Sequence, residues 1–269
     1  MTGVQTCALP ISQKLLSQLA GGGWLLATRH GRRTSFAPGA LREVVRTYAL
    51  EGLTEDGPWT GDFAPCFDLP APVMALVRHA FTELLNNAID HSGGTQVVVS
   101  LRQTATQAQL LVSDNGRGLF DSIGQGFAIE DPVHALLELA KGRLTTTPAR
   151  HTGRGLFYTL LTADVLDLHA NATAWQRRHW EGSRWRAGRA MARQGTSVYL
   201  AIALDTTRRL DDVLRSASLD GQGYALERTV VPLRLLAESA GLVSRSQARR
   251  VAARLQHFRA AELDFDGVD

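Results

Sequence analysis

Glu83-Leu84-Leu85-Asn86-Asn87-Ala88-Ile89-Asp90-His91 closes a stretch that begins at Val73, in which Leu76, Val77, Ala80, Phe81, Leu84, Leu85, Ala88 and Ile89 recur at spacings of three and four. That period predicts one long helix with a core-facing stripe. Pro70 and Pro72 stand just before it, where a helix start tolerates proline. Glu83 and Asn87 are four apart and therefore neighbours on the opposite, polar face, and Asp90 falls on the same side. A carboxylate beside a carboxamide offers hard oxygens to Mg²⁺, which keeps several waters and takes one or two protein groups plus substrate phosphates. The same pattern also describes an amphipathic helix with a merely solvated polar face. The helix alone leaves both readings open.

Working outward, residues 95–102 (TQVVVSLR) and 107–114 (QAQLLVSD) alternate as a strand pair, and the second ends in Asp114-Asn115-Gly116-Arg117-Gly118. An acid at a strand end can accept a hydrogen bond from an amino group, and glycines without Cβ let backbone approach a flat base or bend around it. Gly153 and Gly155 then precede Leu156 to Ala163, which reads as helix. A glycine-rich helix N-terminus presents free N–H groups to phosphate. Each glycine pair is weak evidence by itself, but the order helix, first pair, second pair is specific.

Glu-x-x-x-Asn-Ala-x-Asp, Asp-x-Gly-x-Gly and Gly-x-Gly-Leu resemble the three nucleotide-binding boxes of the gyrase, Hsp90, histidine-kinase and MutL ATPase superfamily, with its Bergerat fold. The resemblance implies an α/β (α+β) two-layer sandwich of helices on a mixed sheet. It implies ATP and Mg²⁺ as cofactors, with Asn87 and Glu83 at the metal and phosphates, Glu83 as general base, and Asp114 on the adenine amino group. Gly116, Gly118, Gly153 and Gly155 would shape the pocket. The run Gly195-Thr196-Ser197-Val198-Tyr199-Leu200 looks like the strand whose threonine, here Thr196, backs the adenine-binding acid. One departure is visible: Leu156 is followed by Phe157, where the kinases usually place another glycine.

Composition bounds the rest. The chain of 269 residues carries a formal charge of +3, too modest to name a partner, and ordinary apolar content. No run approaches the eighteen or so apolar residues needed to span a bilayer. Two cysteines, Cys7 and Cys66, form neither a disulfide framework nor a metal spacing, so a reducing cytoplasm is expected, with Cys66 a small semi-buried side chain.

Residues 1–12 open with MTGVQTCALPI, which resembles the translation of a sequencing-adapter oligonucleotide and is excluded from fold reasoning as an artefact or disordered leader. On that reading the natural protein begins further upstream. Gln13 to Ala20 reads as helix, Gly21-Gly22-Gly23 stops it, and Trp24 to Arg29 and Thr34 to Phe36 read as a hairpin. Lys14, Arg29, Arg32, Arg33 and His30 lie in this run without an acid. Residues 13–36 thus look like a winged helix-turn-helix remnant able to track DNA phosphates; a solubilising basic hairpin is the plain alternative. Val44 to Ala49 reads as a strand and Thr54 to Trp59 as a capped turn.

Residues 37–205 comprise the ATPase domain. Asp131-Pro132 and Gly142 bracket an amphipathic helix over Val133 to Lys141; Arg143 to His151 is polar, and the resemblance implies a lid there with Arg143 and Arg150 near the phosphates. Arg177 to Arg193 mixes arginine with Trp180 and Trp185 and reads as an exposed hairpin whose indoles cover an edge, or as a nucleic-acid surface. The scattered histidines, His169 and His179 among them, have no metal-ligand spacing and read as structural. Residues 206–222 read as a polar linker. Residues 223–269 hold strand-like Ala225 to Leu233, a helix capped by Ser244 with Val251, Leu255 and Phe258 on one face, and a strand from Glu262 to Phe265. They resemble the first half of a STAS-like domain, too short to bury a core alone and expected to lean on the ATPase.

The order of parts resembles a bacterial group of regulators. It implies an ATP- and Mg²⁺-binding cytoplasmic regulator that couples nucleotide state to DNA, through residues 13–36, or to a protein partner, with no membrane attachment and an undetermined oligomeric state. A protein kinase of histidine or anti-sigma serine type is the first alternative, and a non-hydrolysing ATP-sensing DNA-binding regulator the second. Asp90, where kinases often carry a basic residue, weighs toward the gyrase and MutL side.

Overall fold

The computed structural model describes residues 10–145, 153–236, 244–266 and 268. A seven-stranded sheet in the order β3-β4-β5-β9-β6-β7-β8 forms its centre. The strands are β3 Arg42–Ala49, β4 Gln96–Gln103, β5 Gln107–Asp114, β6 Val165–Ala170, β7 Thr173–Arg178, β8 Trp185–Ala187 and β9 Thr196–Ala203. Alternation puts Val97, Val99 and Leu101 of β4, Leu110 and Val112 of β5, and Val198, Leu200 and Ile202 of β9 on one buried face. Between them Ser100, Arg102 and Asp167 stay partly exposed, so one side of the sheet is covered and the other is not.

The covering layer is led by α3, Ala71–His91, whose stripe Leu76, Val77, Ala80, Phe81, Leu84, Leu85 and Ala88 is buried as its spacing predicts. Ile89 packs against the core from a partly buried position. The helix begins at Ala71, two residues earlier than the apolar pattern, because Pro72 sits in its first turn. Helices α4 Leu119–Phe127, α5 Pro132–Lys141 and α6 Gly155–Thr162 complete the layer. Asp131 caps α5 by accepting from the Val133 N–H at 2.9 Å, and Gly142 ends it at φ 81°.

The expected mixed sheet is corrected: every pairing within the seven strands is antiparallel. The reason lies between β3 and α3. Residues 50–70 bring the chain back to the end where β3 began, with Arg42 3.8 Å from Asp68 and the Asp68 N–H donating to Gln103 at 3.2 Å. Helix α3 then runs parallel to β3, and β4 must return against it. Within this leg the helical turn α2, Asp56–Pro58, has Glu55 at its cap position without a side-chain hydrogen bond. Cys66 is exposed rather than semi-buried.

At the N-terminal side, α1 Pro10–Gly21 leads into the antiparallel hairpin of β1 Leu25–His30 and β2 Arg33–Pro38, exposed at every position after Leu25. The expected polar linker contains a helix, α7 Leu210–Arg215. Its acids Asp211 and Asp212 lie in the first turn and Arg215 in the last, as the helix dipole favours, and Val213 is buried. Leu210, Leu214 and Ala217 join Val213 against the core at spacings of three and four, a short period inside an otherwise polar stretch.

Beyond it, β10 Arg228–Pro232 pairs in parallel with β11 Ala260–Asp264 and buries Thr229 and Val231. The last helix, α8 Arg245–Ala252, starts from a full capping box between Ser244 and Gln247. It stops before Leu255, because Arg254 turns left-handed at φ 63° and Leu255–His257 forms a separate turn. Trp185 is buried at the sheet edge while Trp180 is 65 % exposed, so one of the two indoles covers that edge.

Candidate functional site

A cavity of about 510 Å³ opens between α3, α4 and α6, within the size range of small-molecule sites. Glu83, Asn87 and Asp114 line it, as do Gly118, Gly153, Gly155 and Thr196. Gly116 does not: it stands behind the wall, where an added Cβ would come within 2.2 Å of the Ser92 carbonyl oxygen. The structure therefore brings seven of the eight expected residues to one cavity and assigns the eighth to the packing of its loop.

Asp114 ends β5 at 6 % exposure. Its Oδ1 accepts from the Gly116 N–H at 2.8 Å and the Thr196 N–H at 3.2 Å. Burial pushes the carboxyl above the usual carboxylate range, while those N–H groups and the Arg193 guanidinium pull it back. Thr196 thus meets Asp114 through its backbone. The loop after Asp114 is pinned on both sides: Asn115 Oδ1 accepts from the Thr95 and Gln96 N–H groups at 2.8 and 3.0 Å, and the Arg117 N–H donates to Ser92 O at 2.9 Å.

At the other end, α3 supplies Glu83 and Asn87 and α6 supplies its N-terminus. Gly155 is required there, since a Cβ would lie 1.6 Å from Glu83 Oε2 and 2.3 Å from its Cδ. The missing side chain is what lets the first turn of α6 reach the carboxylate. Asn87 Nδ2 is buried and has no hydrogen-bond partner among the described residues, so the protein does not commit the carboxamide through that atom. Among the described residues no three His, Cys, Asp or Glu side chains gather to hold a metal. One carboxylate and one carboxamide therefore fit Mg²⁺ carried with phosphates and water, not a metal held by protein alone.

Three lining residues lie outside the sequence-based expectation. His79 lies four before Glu83 on the same stripe of α3, and burial lowers its pKa and keeps the imidazole neutral. Its spacing is the signal that could have found it. Tyr158, on α6, carries a hydroxyl that burial holds in the protonated form. Arg154 precedes Gly155 directly. The buried His79 Nε2, Tyr158 OH and Arg154 Nε lack hydrogen-bond partners among the described residues, like Asn87 Nδ2. Buried polar atoms are ordinarily paired, and these four belong to residues that line one cavity.

Arg143, expected near the phosphates, does not line the cavity: its guanidinium donates to His257 O at 2.5 Å and stands 5.6 Å from the Phe258 ring. Arg150 lies outside the described residues. Leu214 and Tyr224 complete the wall from beyond the sheet, and Arg154 Nη1 donates to Tyr224 O at 3.3 Å. No helix is long and apolar enough to cross a membrane among the described residues.

Among curated proteins none matches the chain. Most of helix α3, the two glycine boxes and six of the seven strands, β4 to β9, fall within one family match. Residues 74–206 match the family of histidine kinase-, DNA gyrase B-, and HSP90-like ATPases.

Proposed function

We propose that this domain binds ATP with Mg²⁺ and that the chain is a regulator coupling nucleotide state to DNA or to a protein partner. One observation carries the binding half: a cavity with a hydrogen-bonded carboxylate, Asp114, at one end and Glu83, Asn87 and the glycine-led first turn of α6 at the other. Asp114 accepts a hydrogen bond from the adenine amino group, Asn87 and Glu83 hold Mg²⁺, and the N-terminus of α6 faces the phosphates. Mg²⁺ held there would neutralise charge developing on the phosphate oxygens. Glu83 acts as general base, taking a proton from water.

The regulatory half rests on the flanks. Residues 13–36 present Lys14, Arg29, Arg32 and Arg33 on an exposed hairpin and its helix, a surface fit for phosphate contacts as in a winged helix. Within the segment read as STAS-like, β10 packs on α5 and Tyr224 lines the cavity, which supports a route for nucleotide state to reach a partner.

Calorimetry with ATP, with and without Mg²⁺, tests the first half; no binding in either condition overturns it. Incubation with labelled ATP separates the chemistries: free phosphate supports a slow ATPase, labelled protein a kinase, and neither a non-hydrolysing sensor. Fluorescence anisotropy with duplex DNA at two salt concentrations tests the hairpin, with a log–log slope of about −3 to −4 if each of the four cations meets one phosphate. Absence of binding leaves a protein partner as the output.

A further inference from the structure

Asn171 turns the chain between β6 and β7 with φ 52°, in the left-handed region that asparagine tolerates better than most residues. Turn chemistry accounts for its backbone. It does not account for its side chain, which reaches three other segments. Nδ2 donates to Arg117 O at 2.7 Å, inside the first glycine box, and to the carboxylate of Asp121 in the first turn of α4. Oδ1 accepts from the Gly195 N–H at 2.9 Å, just before β9.

Those segments hold the supports of Asp114. Gly195 immediately precedes Thr196, whose N–H donates to Asp114, and Arg117 immediately precedes Gly118, which lines the cavity. Gly118 and Asn171 are also matched in space: at Gly118, φ 92°, an added Cβ would lie 2.5 Å from Asn171 Nδ2. Asn171 itself neither lines the cavity nor hydrogen-bonds Asp114. We propose that Asn171 is a positioning residue for base recognition, a carboxamide clip that sets the spacing between the glycine loop and the start of β9 and thereby the geometry of Asp114. It would act on the base and leave the phosphate side, some distance along α3, unaltered.

This inference rests on the ATP reading of the cavity, and the experiment separates the two. Asn171→Gly keeps the left-handed turn and removes the clip; Asn171→Asp keeps the acceptor for Gly195 and loses the donor. Each variant and the wild-type chain are titrated with ATP, GTP and inorganic tripolyphosphate in the presence of Mg²⁺, alongside a thermal melt. For Asn171→Gly, loss of hydrogen bonds at this strength predicts ATP affinity down about tenfold. The preference for ATP over GTP should shrink with it, while tripolyphosphate affinity stays unchanged. Asn171→Asp should fall between the two. Wild-type chain that binds none of the three ligands overturns the ATP reading and the clip together. Wild-type binding with an unchanged ATP to GTP ratio in Asn171→Gly overturns the clip alone. Equal losses for ATP and tripolyphosphate, with a lowered melting temperature, make Asn171 a structural turn residue and also overturn it.

Discussion

The two ends of the cavity are built by different parts of the chain. Around Asp114 the supports come from within the matched domain: the N–H groups of Gly116 and Thr196 on its carboxylate, Asn115 across to Thr95 and Gln96, and Asn171 across to Gly195. Around Glu83, Asn87 and Gly155 the wall leans on residues beyond 206. Leu214 and Tyr224 line it, and Tyr224 O accepts from Arg154. A buried charge cluster braces the same side: Lys141, wholly buried, donates to Glu138 Oε1 at 2.5 Å and to Arg250 O and Ala253 O at 3.0 Å each. Arg254 donates to Glu138 Oε2 at 2.9 Å and to the Arg143 carbonyl. Burial lowers the Lys141 pKa, and Glu138 opposes that shift. The first end is finished by its own hydrogen bonds, whereas the second keeps unpartnered polar atoms and borrows its bracing. A ligand's base would therefore meet a preformed site, and its phosphates a site whose shape depends on the C-terminal segment.

The contrast is broken most directly at Glu83. Glu83→Ala should lower any ATP hydrolysis by about 10²- to 10⁴-fold, as loss of a general base does, with ATP still bound. Asn87→Ala should instead lose the Mg²⁺-dependent part of binding. A phosphate-release assay beside calorimetry reads both, and wild-type turnover in Glu83→Ala would make Glu83 a structural residue. Next in size is the bracing cluster. Glu138→Ala leaves Lys141 and Arg254 without their carboxylate, and removing one partner of a buried pair costs about 3 to 5 kcal/mol. Urea unfolding measures that loss. At temperatures where the variant is folded, tripolyphosphate binding should fall more than adenosine binding, and equal losses would erase the distinction between the ends.

Asp114→Asn comes third. Hydrogen bonds to a charged group contribute about 1.5 to 3 kcal/mol, so ATP should weaken roughly tenfold to a hundredfold, with reduced discrimination against GTP. Unchanged affinity in the calorimeter would remove Asp114 from base recognition. The smallest effect is one of pH. Asp114 must be ionised to accept without donating, and burial raises its pKa, so it takes up a proton at a higher pH than an ordinary carboxylate. ATP affinity should thus fall on acidification before surface carboxylates titrate, and the fall should be absent from Asp114→Asn.

Much of this architecture is legible in the order of residues alone. The stripe from Leu76 to Ala88 can only be a helix burying one face, the strand 107–114 is legible from its alternation, and Asp131-Pro132 with Gly142 mark both ends of α5. His79 is harder to pick out, because a lone histidine in an apolar stretch resembles core until its neighbour at four residues is set beside it. Helix α7 is hard to read, since its period of Leu210, Val213, Leu214 and Ala217 spans only two turns between polar residues.

What the sequence by itself determined was the set of residue types and the spacings within each element: Glu83 four from Asn87 on one helix, Asp114 at a strand end, and glycines at 118 and 155. Periodicity acts over a few residues, so it reports local geometry and nothing further. Only the tertiary structure decided that the sheet is antiparallel throughout, because that depends on residues 50–70 returning the chain before α3. Only it showed that Gly155 is glycine on account of Glu83, far back along the chain, that Asn171 joins two segments it is far from in sequence, and that Arg143 turns to His257 instead of the cavity. Such pairings join residues whose separation along the chain has no period, and the folded chain alone brings them within reach.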